Sequence, residues 1–154
     1  MSSKDWDESF IQRFRESHKA EKVVAVYLLL QGNSVKINQK VLRPDWSQRY
    51  RYSDSGDLIV NNKRVEVKGL TVDFEVRAYP YEDILICSKF GFDKAEPRPD
   101  YYFLLNKAMT VAAIVDVEKT MKHWFVTSVT DRKRNEHYDC YCMPLSFVQW
   151  RELK

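Results

Sequence analysis

Glycine is scarce in this chain: there are four in 154 residues, at positions 32, 56, 69 and 91. No two have the spacing of a phosphate-cradling P-loop or a dinucleotide fingerprint, where glycines let backbone amides approach phosphate. The G-x-S-x-G turn that exposes a nucleophilic serine is missing too. Histidine occurs only at 18, 123 and 137, so no H-E-x-x-H can form. The three cysteines, Cys87, Cys140 and Cys142, contain no C-x-x-C. His137, Cys140 and Cys142 lack the fourth ligand that a structural zinc site needs. An odd, small cysteine count without a disulfide framework predicts reduced thiols and a cytoplasmic setting. The first residues carry no apolar signal core. The longest uninterrupted apolar run, Val23–Leu30, is eight residues, against about 20 for a membrane-crossing helix. The expectation is a water-soluble protein with no membrane partner.

What is present is the material of a core. Apolar residues make up 44% and aromatics 14%, enough for one domain spanning 1–154 and too much for a disordered chain. The net charge of +3 permits a polyanionic partner without identifying one. Residues 5–31 read as one long helix: Phe10, Phe14, Ser17, Glu21, Ala25 and Leu28 fall on one stripe, with Gln12, Arg15, Glu16 and Lys19 opposite. Gly32-Asn33 is a stop signal. Val35–Leu42 alternates as a strand. Asp57–Val60 and Arg64–Lys68 flank Asn61-Asn62-Lys63 as a β-hairpin. Further strands are predicted at 72–77, 84–88, 102–105, 111–117 and 124–130, then a short helix from about Pro144 to Leu153. This order predicts an α/β or α+β fold with a mixed sheet.

The chemistry gathers on the hairpin. Residues two apart in a strand share a face, so Glu66 and Lys68 point one way and Val65 and Val67 the other. Closing the turn on Asn62-Lys63 sets Asp57 opposite Lys68; closing it on Asn61-Asn62 sets Asp57 opposite Glu66. Either register leaves Asp57, Glu66 and Lys68 on one face. Two converging carboxylates repel unless a hard cation lies between them, and oxygen donors suit Mg²⁺ or Mn²⁺. Such an ion polarises a phosphoryl oxygen and lowers the pKa of bound water; an adjacent ammonium balances charge on the pentavalent phosphate. Glu21 sits mid-stripe on the apolar face of the helix, where a charge must be paired or metal-bound. It is a candidate third acidic residue.

Glu21, then Gly56-Asp57-Leu58-Ile59-Val60, then Val65-Glu66-Val67-Lys68 resemble the PD-(D/E)XK nuclease superfamily, the restriction-endonuclease-like fold. The resemblance covers about residues 10–70. It implies a metal-dependent nuclease with Mg²⁺ or Mn²⁺ held by Asp57, Glu66 and the Val67 carbonyl, with Glu21 completing the cluster as it does in some branches. Lys68 then assists the attacking water. It implies a nucleic-acid substrate, DNA before RNA, and allows a homodimer, since many members pair to cut two strands. The chain departs from the family at one point: the family usually follows the lysine strand with a helix, whereas Gly69–Pro80 reads as extended, so the fold expected is a restriction-endonuclease-like mixed sheet flanked by helices, with extra strands C-terminal to the hairpin.

Rival readings stand beside these. Acid-x-Lys also occurs at Asp131–Lys133 and Glu152–Lys154, and Asp45 and Asp54 compete with Asp57 for the first acidic position. Arg43, Arg49, Tyr50 and Arg51, together with Trp46 and Tyr52, are candidates for a nucleic-acid surface, guanidinium groups on phosphates and rings on bases. An amphipathic strand edge would have the same composition. The plain alternative for Asp57, Glu66 and Lys68 is a salt-bridged strand pair. The alternative function is a non-catalytic nucleic-acid- or protein-binding module on the same fold.

Overall fold

The computed structural model describes residues 8–37, 58–131 and 135–153, with side chains over 19–37, 58–130 and 135–153. The long amphipathic segment is helix α1, Glu8–Leu30. It ends where Gly32 adopts φ 90°, a left-handed conformation that glycine enters without the Cβ penalty. The Asn33 side chain donates to the Leu28 carbonyl at 3.0 Å and so occupies a carbonyl of the last turn.

Strands β1 (Val35–Ile37), β2 (Leu58–Val60) and β3 (Lys63–Gly69) form an antiparallel meander. The β2–β3 hairpin closes on Asn61-Asn62, with Val60 opposite Lys63 and Leu58 opposite Val65. Both turn residues have positive φ, 49° and 68°, which asparagine tolerates and which matches strand twist. Asn61 also ties the turn to the end of α1: its Oδ1 accepts from the Ser34 amide at 2.9 Å and its Nδ2 donates to Asn33 at 2.8 Å.

Residues 70–82 hold no strand, only an isolated bridge between Glu75 and Ala78. The strand expected at 72–77 is therefore corrected. Phe74 and the flanking Val72 and Val76 pack into the core from an irregular segment, and Arg77 turns it with φ 62°. The chain continues through β4 (Asp83–Ser88), the short helix α2 (Lys89–Lys94), β5 (Tyr101–Leu105), β6 (Val111–Asp116), the single-turn helix α3 (Val117–Thr120), β7 (Phe125–Asp131), β8 (Glu136–Pro144) and β9 (Gln149–Glu152). The helix expected from Pro144 is also corrected. Only a 3-10 turn, Leu145–Phe147, follows Pro144, and the rest pairs with β6 as an edge strand. Partial burial of Trp150 beside the core outweighs local helix preference there.

The sheets are a six-stranded one, ordered β1-β2-β3-β5-β6-β9, and a three-stranded one, ordered β4-β8-β7. The β3–β5 pair is parallel and the other pairs are antiparallel. The fold is mixed α/β in layers: α1, the large sheet, then the small sheet with α2. One apolar core lies between α1 and the large sheet, where Ala20, Val24 and Leu28 meet Val65, Val67, Phe103 and Ile114. The other lies between the sheets, where Tyr102, Leu104 and Val115 meet Ile84, Ile86, Phe92 and Met143. Strands β5 and β6 are covered on both faces, which is why they read as continuous apolar runs rather than alternating ones. Among the described residues no helix is long and apolar enough to cross a membrane.

Two side chains should carry visible stability. Asn61→Ala removes two side-chain bonds and forces alanine into positive φ, so urea unfolding should show a loss of about 1–3 kcal/mol. Asn106, buried at the β5–β6 turn, accepts from the amides of Thr110 and Val111 and donates to the Phe74 carbonyl. Asn106→Ala should cost at least as much, since it strands those backbone groups.

Candidate functional site

Strand β3 serves both cores by alternation. Val65 and Val67 are buried against α1. Arg64, Glu66 and Lys68 occupy the other face and line a cavity of about 180 Å³ with Tyr102, Cys87 and Ser88. Glu66 faces Tyr102 and Lys68 faces Leu104 across the parallel pair. The shared face of Glu66 and Lys68 is thus as the sequence predicts, and it opens toward the small sheet and α2.

Within this cavity the charges are specifically engaged. The Arg64 guanidinium makes an ion pair with Glu66, Nη2 to Oε1 at 2.8 Å, with side-chain exposures of 8% and 21%. At this depth the pair forgoes much hydration, and its mutual attraction offsets part of that cost. Arg64 also donates through Nη1 to the Pro97 carbonyl. Its amide donates to the Asp100 carboxylate at 2.9 Å, and its carbonyl accepts from the Asp100 amide at 2.8 Å. Asp100 thereby fixes the start of β5 beside β3, which sets the height of Tyr102 relative to Glu66.

Lys68 reaches the opposite sheet. Its ammonium donates to the Ile86 carbonyl at 3.1 Å and lies 5.5 Å from the Tyr102 ring centroid. The reason is a β-bulge: the β4–β8 register passes from Leu85–Cys142 to Cys87–Tyr141, leaving Ile86 opposite no residue of β8. A buried residue whose pairing is interrupted needs another partner for its carbonyl, and Lys68 supplies it.

The thiols and the phenol around this cluster stay protonated. Burial, then the adjoining Cys87, pushes the Tyr102 hydroxyl well above the ordinary phenol range. Burial likewise raises the Cys87 thiol against the opposing influence of Tyr102 and Lys68. Such thiols are poor nucleophiles.

The other predicted residues fall in two groups. Glu21 is buried, 2% exposed, on the sheet-facing side of α1. The neighbouring Ala20 approaches β3 at Gly69, its Cβ 3.8 Å from where a Cβ on Gly69 would lie. Glu21 therefore belongs to the layer on the far side of the large sheet from Glu66 and Lys68 and does not line their cavity. Val67 pairs with Phe103 in the ladder. Asp57, the rivals Asp45 and Asp54, and the basic-aromatic set Arg43, Arg49, Tyr50 and Arg51 lie outside the described residues. So do Arg132, Lys133 and Arg134.

Sequence reasoning missed Arg64, Tyr102 and Cys87. Arg64 was accessible, since it shares the parity of Glu66 and Lys68. Tyr102 and Cys87 were not, because each reaches the site through strand pairing remote in sequence. As for a cation, Glu66 supplies a hard carboxylate oxygen at the cavity wall, compatible in type with Mg²⁺ or Mn²⁺.

The raised thiols predict an alkaline weakness. Cys142 is pushed from 9.0 up to about 11, mainly by burial and then by Cys140. The folded state therefore keeps protons that the unfolded chain releases above the ordinary thiol pKa. Stability from this source is intact below that pKa and declines as pH rises toward about 11. Urea midpoints across this range should fall, and Cys142→Ala should flatten the slope.

Comparison with protein-family models, with curated proteins and with solved structures finds no match to this chain.

Proposed function

We propose that the protein is a metal-dependent nuclease of the restriction-endonuclease-like kind, acting on nucleic acid, DNA before RNA. The observation that carries this reading is a carboxylate and an ammonium two residues apart on one face of β3, Glu66 and Lys68, opening into a shared cavity. The order of elements supports it: a long helix, then an antiparallel hairpin whose second strand bears Glu-x-Lys. One departure remains: the family usually follows the lysine strand with a helix, whereas here β3 is followed by β4 before the short helix α2.

In this reading Asp57, Glu66 and the Val67 carbonyl would hold Mg²⁺ or Mn²⁺; Glu21, buried in the other layer, is left out of the set. When bound, the ion supplies Lewis acidity toward a phosphoryl oxygen and toward water. The chain's own residues do the rest. Lys68 places an ammonium where charge develops on the phosphate and orients the attacking water. Arg64 orients the Glu66 carboxylate through their ion pair. Asp100 ties the start of β5 to β3 through the Arg64 backbone. Arg43, Arg49, Tyr50 and Arg51 are the proposed contacts to the nucleic-acid backbone and bases. The setting proposed is cytoplasmic.

A second reading is favoured by one observation, the bond from Lys68 to the Ile86 carbonyl. There Lys68 is a strut between two sheets, and the protein is a non-catalytic nucleic-acid- or protein-binding module.

The readings separate experimentally. In the nuclease reading, Mg²⁺ or Mn²⁺ should support cleavage of single-stranded, duplex or branched substrates. Asp57→Asn, Glu66→Gln and Lys68→Met should each reduce that cleavage by about 10²–10³-fold. Lys68→Met should also lower the melting temperature, because it leaves the Ile86 carbonyl without its donor. Asp57→Asn and Glu66→Gln should weaken Mn²⁺ binding in calorimetry. No metal-dependent cleavage of any substrate by wild type, with Lys68→Met changing stability alone, would establish the second reading.

A further inference from the structure

Helix α2 forms the wall of the Glu66–Lys68 cavity that faces β3. Gly91, Phe92 and Ala95 line that side, and Glu66 and Lys68 line the other. The wall is tied down from behind. Phe92 is buried and packs edge-on against Trp124 and tilted ring-to-ring against Tyr141, with centroids 5.1 and 5.5 Å away. The Tyr141 hydroxyl donates to Asp93 at 2.8 Å, and Asp93 also pairs with Lys89 at 2.6 Å. A ligand approaching β3 therefore enters a space of about 180 Å³ whose width α2 sets. At about 30 Å³ per water, that is the volume of roughly six waters. It has room for one phosphodiester group and part of its sugar. A paired strand alongside would have to displace α2.

The outer side of the same helix carries a different chemistry. Gly91 and Ala95 are four apart and share the cavity side; Phe90 and Lys94, also four apart, form the adjacent row. Phe90 is 57% exposed, and the Lys94 ammonium lies 4.8 Å from its ring centroid. An exposed ring with a cation against it suits an unpaired base and its phosphate: the base stacks on the ring and the ammonium answers the phosphate charge. Paired bases are stacked on each other and present only their edges in the grooves, so a duplex gains nothing from Phe90. Arg98, 5.9 Å from the Phe92 ring centroid, adds a second cation beside the same wall.

The geometry points to a single, unpaired strand as the form of substrate this site takes: one phosphodiester enters between β3 and α2, and an adjacent base stacks on Phe90. The choice of polymer rests on the nuclease reading. The choice of strandedness rests on the width of the cavity and on the Phe90–Lys94 pair. Phe90 is a binding residue and takes no part in the chemistry.

The test scores binding apart from cleavage. Anisotropy of a labelled DNA oligonucleotide in EDTA should show a single strand bound about tenfold or more tighter than a blunt hairpin duplex. Phe90→Ala should weaken single-strand binding about tenfold with the melting temperature unchanged, and Phe90→Trp should restore it. A single strand carrying iodouracil should photo-crosslink to Phe90. Single-strand preference and Phe90 dependence without any cleavage in Mg²⁺ or Mn²⁺ would remove the nuclease reading and keep this assignment. Metal-dependent cleavage that treats duplex and single strand alike would keep the nuclease reading and overturn this assignment. So would a duplex bound as tightly as the single strand, or a Phe90→Ala variant that binds as wild type does.

Discussion

Strand β3 must satisfy two different neighbours at once, and the rest of the molecule is arranged around that demand. One face supplies Val65 and Val67 to the helix layer. The other carries Arg64, Glu66 and Lys68 into the space between two sheets. Three charged side chains in a row are ordinarily a solvent-facing pattern. Here they are covered, and burying them is tolerable only because each has a defined partner. Arg64 meets Glu66 and Pro97; Lys68 meets the carbonyl exposed by the β4 bulge.

The bulge and the lysine solve each other's problem. An interrupted ladder leaves a buried carbonyl in need of a donor, and an ammonium brought under a sheet needs an acceptor. Their meeting joins β3 to β4 across the layer, beside the cavity that Glu66 and Ser88 line. The same contact gives Lys68 a structural duty beside any chemical one. Loss of the side chain therefore has two separable consequences, one for folding and one for reactivity.

Surface and site follow opposite rules in this chain. Around Glu66 polar groups are packed and paired, and burial holds the Cys87 thiol and the Tyr102 phenol protonated. Along β7 the run 125–130 is uncharged and pairs with β8 without a bulge, and its one charged residue, Asp131, stands at the end of the strand.

The sequence alone determined the elements that rest on local periodicity and turn chemistry. These are the α1 stripe with its stop at Gly32-Asn33, the Asn61-Asn62 hairpin, the strands near 84–88, 102–105, 111–117 and 124–130, and the shared face of Glu66 and Lys68. Backbone geometry fixes parity, so that last reading needed no tertiary information. What only the tertiary structure decided is whatever depends on partners distant in the chain. It turned 72–77 into an irregular segment and 149–152 into an edge strand, because packing against the inter-sheet core outweighed local preference. It brought Tyr102 and Cys87 to the cavity and set Glu21 on the other side of the sheet, since a helix stripe shows that a residue is buried but not which layer it is buried against.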